Sequence, residues 1–249
     1  MKELIPAPPK ALIDLVGGGF ETVGPEFLRL YTTVGGLYPE AHVLDMGCGC
    51  GRMAIPLSDY MTKGTYRGFD VYAPAIDWCR ENITNRYPNF RFDHVDAYNS
   101  YYNPNGTIRA DEYRFPYSDA SFDFAFASSL FTHIMWRETE NYIREAYRVL
   151  RHGGRALFTF CLLNPETEDL IANGKSRLKF RFKGDRCRVE SADDPARVVA
   201  YEEQDIRSLF AGADFAINDI YLGTWTGRGR GLTHQDMIVA TKPLPAIER

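Results

Sequence analysis

His42-Val43-Leu44-Asp45-Met46-Gly47-Cys48-Gly49-Cys50-Gly51-Arg52 reads as a short strand that breaks into glycines and then opens a helix near Met53. A brief, nearly continuous apolar run suits a strand covered on both faces, as in a parallel sheet. The glycines allow a sharp turn and let backbone approach a ligand closely. In open α/β sheets such a turn lies at the carboxyl end of a strand, where ligands bind.

Outward from this stretch a rhythm repeats. Residues 65–70 read as a second strand, 73–86 as a helix and 90–95 as a third strand. A polar, tyrosine-rich loop over 98–113 leads to a fourth strand at 121–127, a helix at 138–150 and a fifth strand at 155–160. Strands alternating with helices at this spacing imply right-handed crossovers and a parallel sheet. The rhythm breaks over 162–199 and resumes with a helix at 202–210. Strands at 215–222 and 237–241, joined by a Gly-rich stretch at 226–233, should pair antiparallel. Upstream, short helices are expected over 9–16 and 26–34, with Pro25 as a first helical residue and glycine runs as stops. The expected fold is therefore one α/β domain: a doubly wound, mostly parallel seven-stranded sheet, the last strand antiparallel, with helices on both faces. It divides into an N-terminal helical cap (1–36), a cofactor-binding half (37–161), an insertion over the substrate side (162–200), and a helix and β-hairpin completing the sheet (201–249).

Composition agrees with a globular chain: 249 residues, 45% hydrophobic and 25% charged. A net charge of -4 disfavours nucleic acid as partner. The five cysteines suit free thiols in a reducing compartment, without the spacing of a zinc site. The N-terminus lacks a signal pattern and no apolar run reaches the roughly 18 residues of a membrane span, so a cytoplasmic location is expected and the sequons at Asn82 and Asn105 read as chance.

Dinucleotide enzymes also place glycines at this turn, in the pattern G-x-G-x-x-G. Counted from Gly47, the sixth position is Arg52 and the pattern fails; counted from Gly49 it ends at Ala54 but starts too far into the helix. Asp45, just ahead of the glycines, would repel a pyrophosphate and suit a ligand with an ammonium and a sulfonium. Asp70 ends the second strand, where a carboxylate accepts both hydroxyls of a ribose. Asp96, after the third strand, could accept from an adenine amino group.

With these motifs in order, the sequence resembles the class I S-adenosylmethionine-dependent methyltransferases, of Rossmann-like fold, from about Gly36 to Pro243. Residues 115–123 look like the family's entry to the fourth strand, and 148–155 like its turn into the fifth, with His152 where proline is common. The resemblance implies that Gly47, Cys48 and Gly49 line the methionine part while Asp45 holds the turn and the amino group. It gives the ribose to Asp70 and the adenine to Asp96, with Val71, Ala97 and Ser128 as further cofactor contacts. It also points the methyl group at the loop 127–133, which makes His133 the candidate general base: a neutral imidazole, with a reference pKa of about 6.5, can take the proton of an attacking hydroxyl. Arg52, Tyr98, Asn99 and Trp136 are candidate substrate contacts, beside Tyr101 and Tyr102; His234, at the end of the last loop, reads as a surface residue.

Cys50-Gly51-Arg52, Trp78-Cys79, Tyr87-Pro88-Asn89-Phe90 and Phe131-Thr132-His133 look most like bacterial enzymes that methylate sugar or oligosaccharide hydroxyls. Some of those use a divalent metal, so the resemblance admits magnesium, although no carboxylate cluster in the sequence marks a site. The expected partner is a small-molecule acceptor. The insertion alternates basic and apolar residues over 175–188, which suits a half-buried strand or hairpin with a cationic face. It would act as a lid selecting an acidic or polyhydroxylated acceptor, or as a solvated face or homodimer contact. Three readings compete: N- or C-methylation of another metabolite; methylation of nucleic acid through the basic insertion, for which the Asn/Asp-Pro-Pro-aromatic motif is missing; and a regulatory protein that binds the ligand without turnover.

Overall fold

The apolar runs and helical stretches take up the expected order. After α1 (Lys10–Val16) and α2 (Phe20–Thr33) come β1 (His42–Met46), α3 (Ala54–Tyr60), β2 (Thr65–Asp70), α4 (Ala73–Cys79) and β3 (Phe90–His94). They are followed by β4 (Phe122–Ala127), α5 (Trp136–Val149) and β5 (Leu150–Phe160). The insertion contributes β6 (Leu162–Leu163), α6 (Pro165–Ala172), β7 (Phe182–Lys183), β8 (Arg188–Val189) and β9 (Val199–Glu202). The chain ends with α7 (Glu203–Gly212), β10 (Ala216–Tyr221) and β11 (Asp236–Thr241). This computed structural model describes residues 5–16 and 18–245; the first residues of the Pro-rich N-terminus, Gly17 in the first glycine run, and residues 246–249 lie outside the described residues.

The main sheet has seven strands in the order β3-β2-β1-β4-β5-β11-β10. All neighbours pair in parallel except β11, which runs antiparallel to both β5 and β10. The direction of winding reverses between β1 and β4, which is where an open α/β sheet opens a crevice for ligands. Side chains alternate between the faces. Leu44, Met46, Ala125 and Phe158 pack with α5 and α7, whereas Val43, Tyr66, Phe126 and Leu157 pack with α2, α3 and α4. Tyr31 of α2 stacks on Phe126 with ring centroids 4.4 Å apart, which anchors the N-terminal cap beneath β4.

Several boundaries differ from the sequence expectation. α2 begins at Phe20, so Pro25 lies inside the helix and not at its start. Burial of Gly24, Phe27, Leu30 and Tyr31 outweighs the N–H that proline cannot supply. The helix expected over 73–86 is α4 followed by a π turn at Arg80–Thr84. That turn buries Ile83 under Gly51, where an added Cβ would meet Ile83 Cδ1 at 2.5 Å.

The insertion holds more structure than a single hairpin. Its strands form a second sheet in the order β6-β9-β8-β7, with β7 and β8 as the expected antiparallel pair. α6, which was not expected, starts at Asn164-Pro165: the Asn164 side chain accepts from Thr167 N at 2.9 Å, and Pro165 occupies the first helical turn. All five cysteines are buried and free. Among the described residues no helix is long and apolar enough to cross a membrane.

Candidate functional site

The glycine turn is lashed to the neighbouring strand. Gly47 N and Cys48 N both donate to Phe69 O, at 2.9 and 3.0 Å. Gly47 has φ 76°, which favours glycine, and a Cβ there would press on Leu130 Cδ1 at 3.2 Å. Gly49 N donates to Asp70 Oδ2 at 2.8 Å, and Tyr72 N to Asp70 Oδ1 at 2.9 Å. The Asp70 carboxylate is therefore fixed by one backbone donor on each oxygen, with lone pairs left for ligand hydroxyls. Burial raises its pKa, and the backbone donors only partly offset that rise.

Asp70 faces a cavity of about 800 Å³, its open mouth included. The floor is Gly47, Gly49 and Val71; Ser128, Ser129 and Leu130 form the side toward β4. Tyr98, Asn99 and Tyr102 stand at the rim, and His133, Glu138 and Tyr142 form the far wall. A narrower cleft on the other side of the turn shares Gly47, Gly49 and Ser128 with the cavity and is lined further by Asp45, Cys48, Cys50 and Arg52. Asp45 is 1% exposed and accepts the Tyr66 hydroxyl at 2.5 Å. Its burial pushes the carboxyl up to about 8, against the pull of that hydrogen bond, and the nearby Asp70 adds to the rise. Arg52 donates to Gly18 O at 3.0 Å, which ties the turn to the N-terminal cap.

Three residues expected at the site do not line the cavity itself. The Asp96 carboxylate accepts from Thr107 Oγ1 at 2.6 Å, from Thr107 N at 3.3 Å and from Asn103 Nδ2 at 3.3 Å, and these donors lower its pKa. It closes the 98–107 loop and does not line the cavity. Ala97 is fully buried and bridges to Ile108. Trp136 lines an adjoining groove, which shares Tyr98, Ala110 and Glu138 with the cavity, under the guanidinium of Arg186, 5.4 Å from its ring centroid.

His133 lies on the loop after β4. Its Nδ1 is 3.1 Å from Ala196 O. A carbonyl only accepts, so Nδ1 carries the proton and Nε2 keeps its lone pair. Burial lowers the imidazole pKa, and the carbonyls of Ala196 and Arg197 only partly oppose this, so the ring is neutral at pH 7. The loop itself is strained at Ser129, whose φ is 66°. A polar net holds it: Ser129 N donates to Thr159 Oγ1 at 2.8 Å, Thr159 Oγ1 to Gln235 Oε1 at 2.7 Å, and Gln235 Nε2 to Thr132 Oγ1 at 3.2 Å.

Sequence reasoning missed Tyr31, whose hydroxyl bonds Ser128 Oγ at 2.8 Å, and Gln235, which joins the last loop to the β4 tip. Neither carries a local signal. It also missed Glu138, which caps α5 by accepting from Met135 N at 2.5 Å and whose pKa is raised by burial. A Glu at the third helical position was readable as half of a capping box. Among the described residues no group of three or more His, Cys, Asp or Glu side chains converges as a metal site, so nothing here fits the divalent ion that the resemblance admitted.

The glycine cradle and the fixed Asp70 carboxylate do fit an adenosyl ligand, and comparison with known proteins agrees. Residues 43–154 match the family model described as "Methyltransferase domain". A S-adenosylmethionine-dependent methyltransferase from Methanosarcina mazei is 18% identical with a TM-score of 0.58, over 88% of this chain and 97% of that one. Magnesium protoporphyrin IX methyltransferase from Synechocystis, with S-adenosylhomocysteine bound, is 16% identical with a TM-score of 0.58, over 92% and 91%. The Burkholderia thailandensis 1,6-didemethyltoxoflavin-N1-methyltransferase is 17% identical with a TM-score of 0.54, over 88% and 77%. At these identities the likeness concerns the fold. Residues 43–154 thus resemble a methyltransferase domain, and the chain shares the fold of these S-adenosylmethionine-dependent methyltransferases.

Proposed function

We propose that this protein moves the methyl group of S-adenosylmethionine to a hydroxyl of a small-molecule acceptor, such as a sugar, with His133 as general base. Bound S-adenosylmethionine supplies an electrophilic methyl carbon on a positively charged sulfur. The chain's residues do the rest. Gly47 and Gly49 bring backbone against the ligand, Asp70 accepts the ribose hydroxyls, and Asp45 offers negative charge near the amino-acid part.

One observation carries the hydroxyl reading. The Ala196 carbonyl accepts from Nδ1 of His133 at 3.1 Å, so the neutral ring keeps the Nε2 lone pair, and the residue lines the cavity wall. A neutral acceptor hydroxyl needs such a group, because its proton must leave as the oxygen attacks carbon in line with the departing sulfur. A nitrogen or carbon nucleophile has less need of it.

The test is His133→Ala, assayed by release of S-adenosylhomocysteine over a panel of hydroxylated acceptors. The expected result is a fall in kcat of about 10²–10⁴ with S-adenosylhomocysteine affinity unchanged. Wild-type kcat should hold as pH falls below 6.5 and drop only when the lowered His133 pKa is crossed, because only the neutral ring accepts a proton. Normal turnover by the variant would remove the base and leave N- or C-methylation as the better reading.

A further inference from the structure

His133 has a second face. It also lines a cleft between the insertion and the β10–β11 loop, walled by Lys175, Arg177, Trp225, His234 and Gln235. No Asp or Glu lines this cleft, in a chain whose net charge is -4.

The cleft is built and not a gap between loose loops. A Cβ on Gly227 would fall 2.5 Å from Lys175 O, so the last loop sits directly against the insertion there. Phe180 meets Trp225 edge-on at 5.5 Å, within a small core that includes Cys161, Leu163 and Ala200. Trp225 Nε1 donates at 2.7 Å to the buried Asp236, which also accepts from Leu162 N at 2.7 Å and Gly223 N at 2.6 Å. Ser176, between the two basic residues, donates to Trp225 O at 3.4 Å and accepts from Leu178 N at 3.1 Å. Lys175 and Arg177 thus start from fixed backbone.

Their charge is also unspent. Arg188 in the same insertion is paired with Glu168 at 2.7 Å and Glu202 at 2.6 Å, and Arg228 in the facing loop with Glu166 at 2.8 Å. Among the described residues neither Lys175 nor Arg177 has an ion-pair partner. Cations left unpaired along one wall of a cleft favour an anion there.

We propose that this cleft seats the methyl acceptor and that the acceptor is an acidic small molecule, whose carboxylate or phosphate is held by Lys175, Arg177 and His234 while its hydroxyl meets His133. The inference rests on the methyl-transfer reading for the hydroxyl and on the cleft alone for the anion. His133 lines both spaces, so a hydroxyl at its edge can meet the cofactor cavity while the anion stays in the cleft.

The test follows the ¹⁵N-labelled imidazole signals of His133 and His234 in protein with S-adenosylhomocysteine. The protein is titrated separately with inorganic phosphate, with glucuronate and with glucose. At least one of the two anions should give saturable shifts of both signals, and which one acts identifies the head group. Glucose should give none. Lys175→Glu/Arg177→Glu should weaken the anion response at least about tenfold. Both positions are exposed, and S-adenosylhomocysteine affinity within twofold of wild type reports an intact fold. Silence toward both anions, an equal response to glucose, or a double variant that responds like wild type would each overturn the anion seat. Failure of the wild-type protein to bind S-adenosylhomocysteine would instead strike the cofactor reading, and the anion titration without it would still decide the cleft.

Discussion

Replacing Asp45 by Asn should abolish a proton release that accompanies cofactor binding. Asp45 is 1% exposed, with its carboxyl pushed up to about 8 by burial. At pH 7 a group with that pKa is about nine-tenths protonated in the free protein. A sulfonium and an ammonium in the cleft that Asp45 lines favour the carboxylate, so binding should expel the proton. If the bound value drops below the usual physiological range, release approaches about 0.9 proton per ligand at pH 7 and about 0.5 at pH 8. Affinity should accordingly rise by close to tenfold from pH 6 to pH 7 and level off above about pH 8. Calorimetric titration with S-adenosylmethionine at pH 7, in buffers of different ionisation enthalpy, counts the protons. Asn keeps an acceptor for the Tyr66 hydroxyl but cannot titrate, and protons exchanged by the ligand itself cancel in the difference between the two proteins. Equal proton counts for wild type and Asp45→Asn would refute the reasoning.

The same group sets a stability trend: its folded pKa lies above the ordinary carboxylate range, so the free protein should lose stability as pH rises toward about 8, and Asp45→Asn should flatten that slope in urea unfolding. Asp70→Ala removes the acceptor for Gly49 N, Tyr72 N and the ribose hydroxyls, and should weaken S-adenosylhomocysteine binding by about a hundredfold in calorimetry. Asp236→Ala leaves Leu162 N, Gly223 N and Trp225 Nε1 without their buried acceptor and should cost about 3 kcal/mol or more, read from the urea midpoint.

The alternation of apolar runs with helical stretches made the sheet legible, because a parallel strand must be apolar on both faces and its crossover must be amphipathic. The turn at Gly47 and the carboxylate of Asp70 were legible for the same local reason: each lies at a strand end and serves its neighbour in the chain or the next strand. The loop contacts of Asp96 were not legible, because they depend on Asn103 and Thr107, whose loop folds back to take both its oxygens. No strand-end rule foresees that. The place of Trp136, in the adjoining groove beside Arg186, depends on how the first turn of α5 is rotated, which spacing alone does not give. Tyr31 and Gln235 lie 97 and 106 residues from the serines they bond, so only tertiary packing brings them there. The insertion's alternating charges suited a strand or hairpin but did not reveal the second sheet, whose other strands, β6 and β9, span only two and four residues.

The reversed direction of β11 has a consequence for how this protein could diversify. Since β10 runs with the parallel strands and β11 returns against them, the connection between the two emerges at the same end of the sheet as the glycine turn. A parallel final strand would have required a crossover on a face of the sheet. Here residues 222–235 meet the loop after β4 as a single stretch contiguous in sequence, through Gln235. The rim of the cleft could therefore be varied by rewriting residues 222–234, while the glycine turn, Asp70 and the Gln235 anchor stay unchanged.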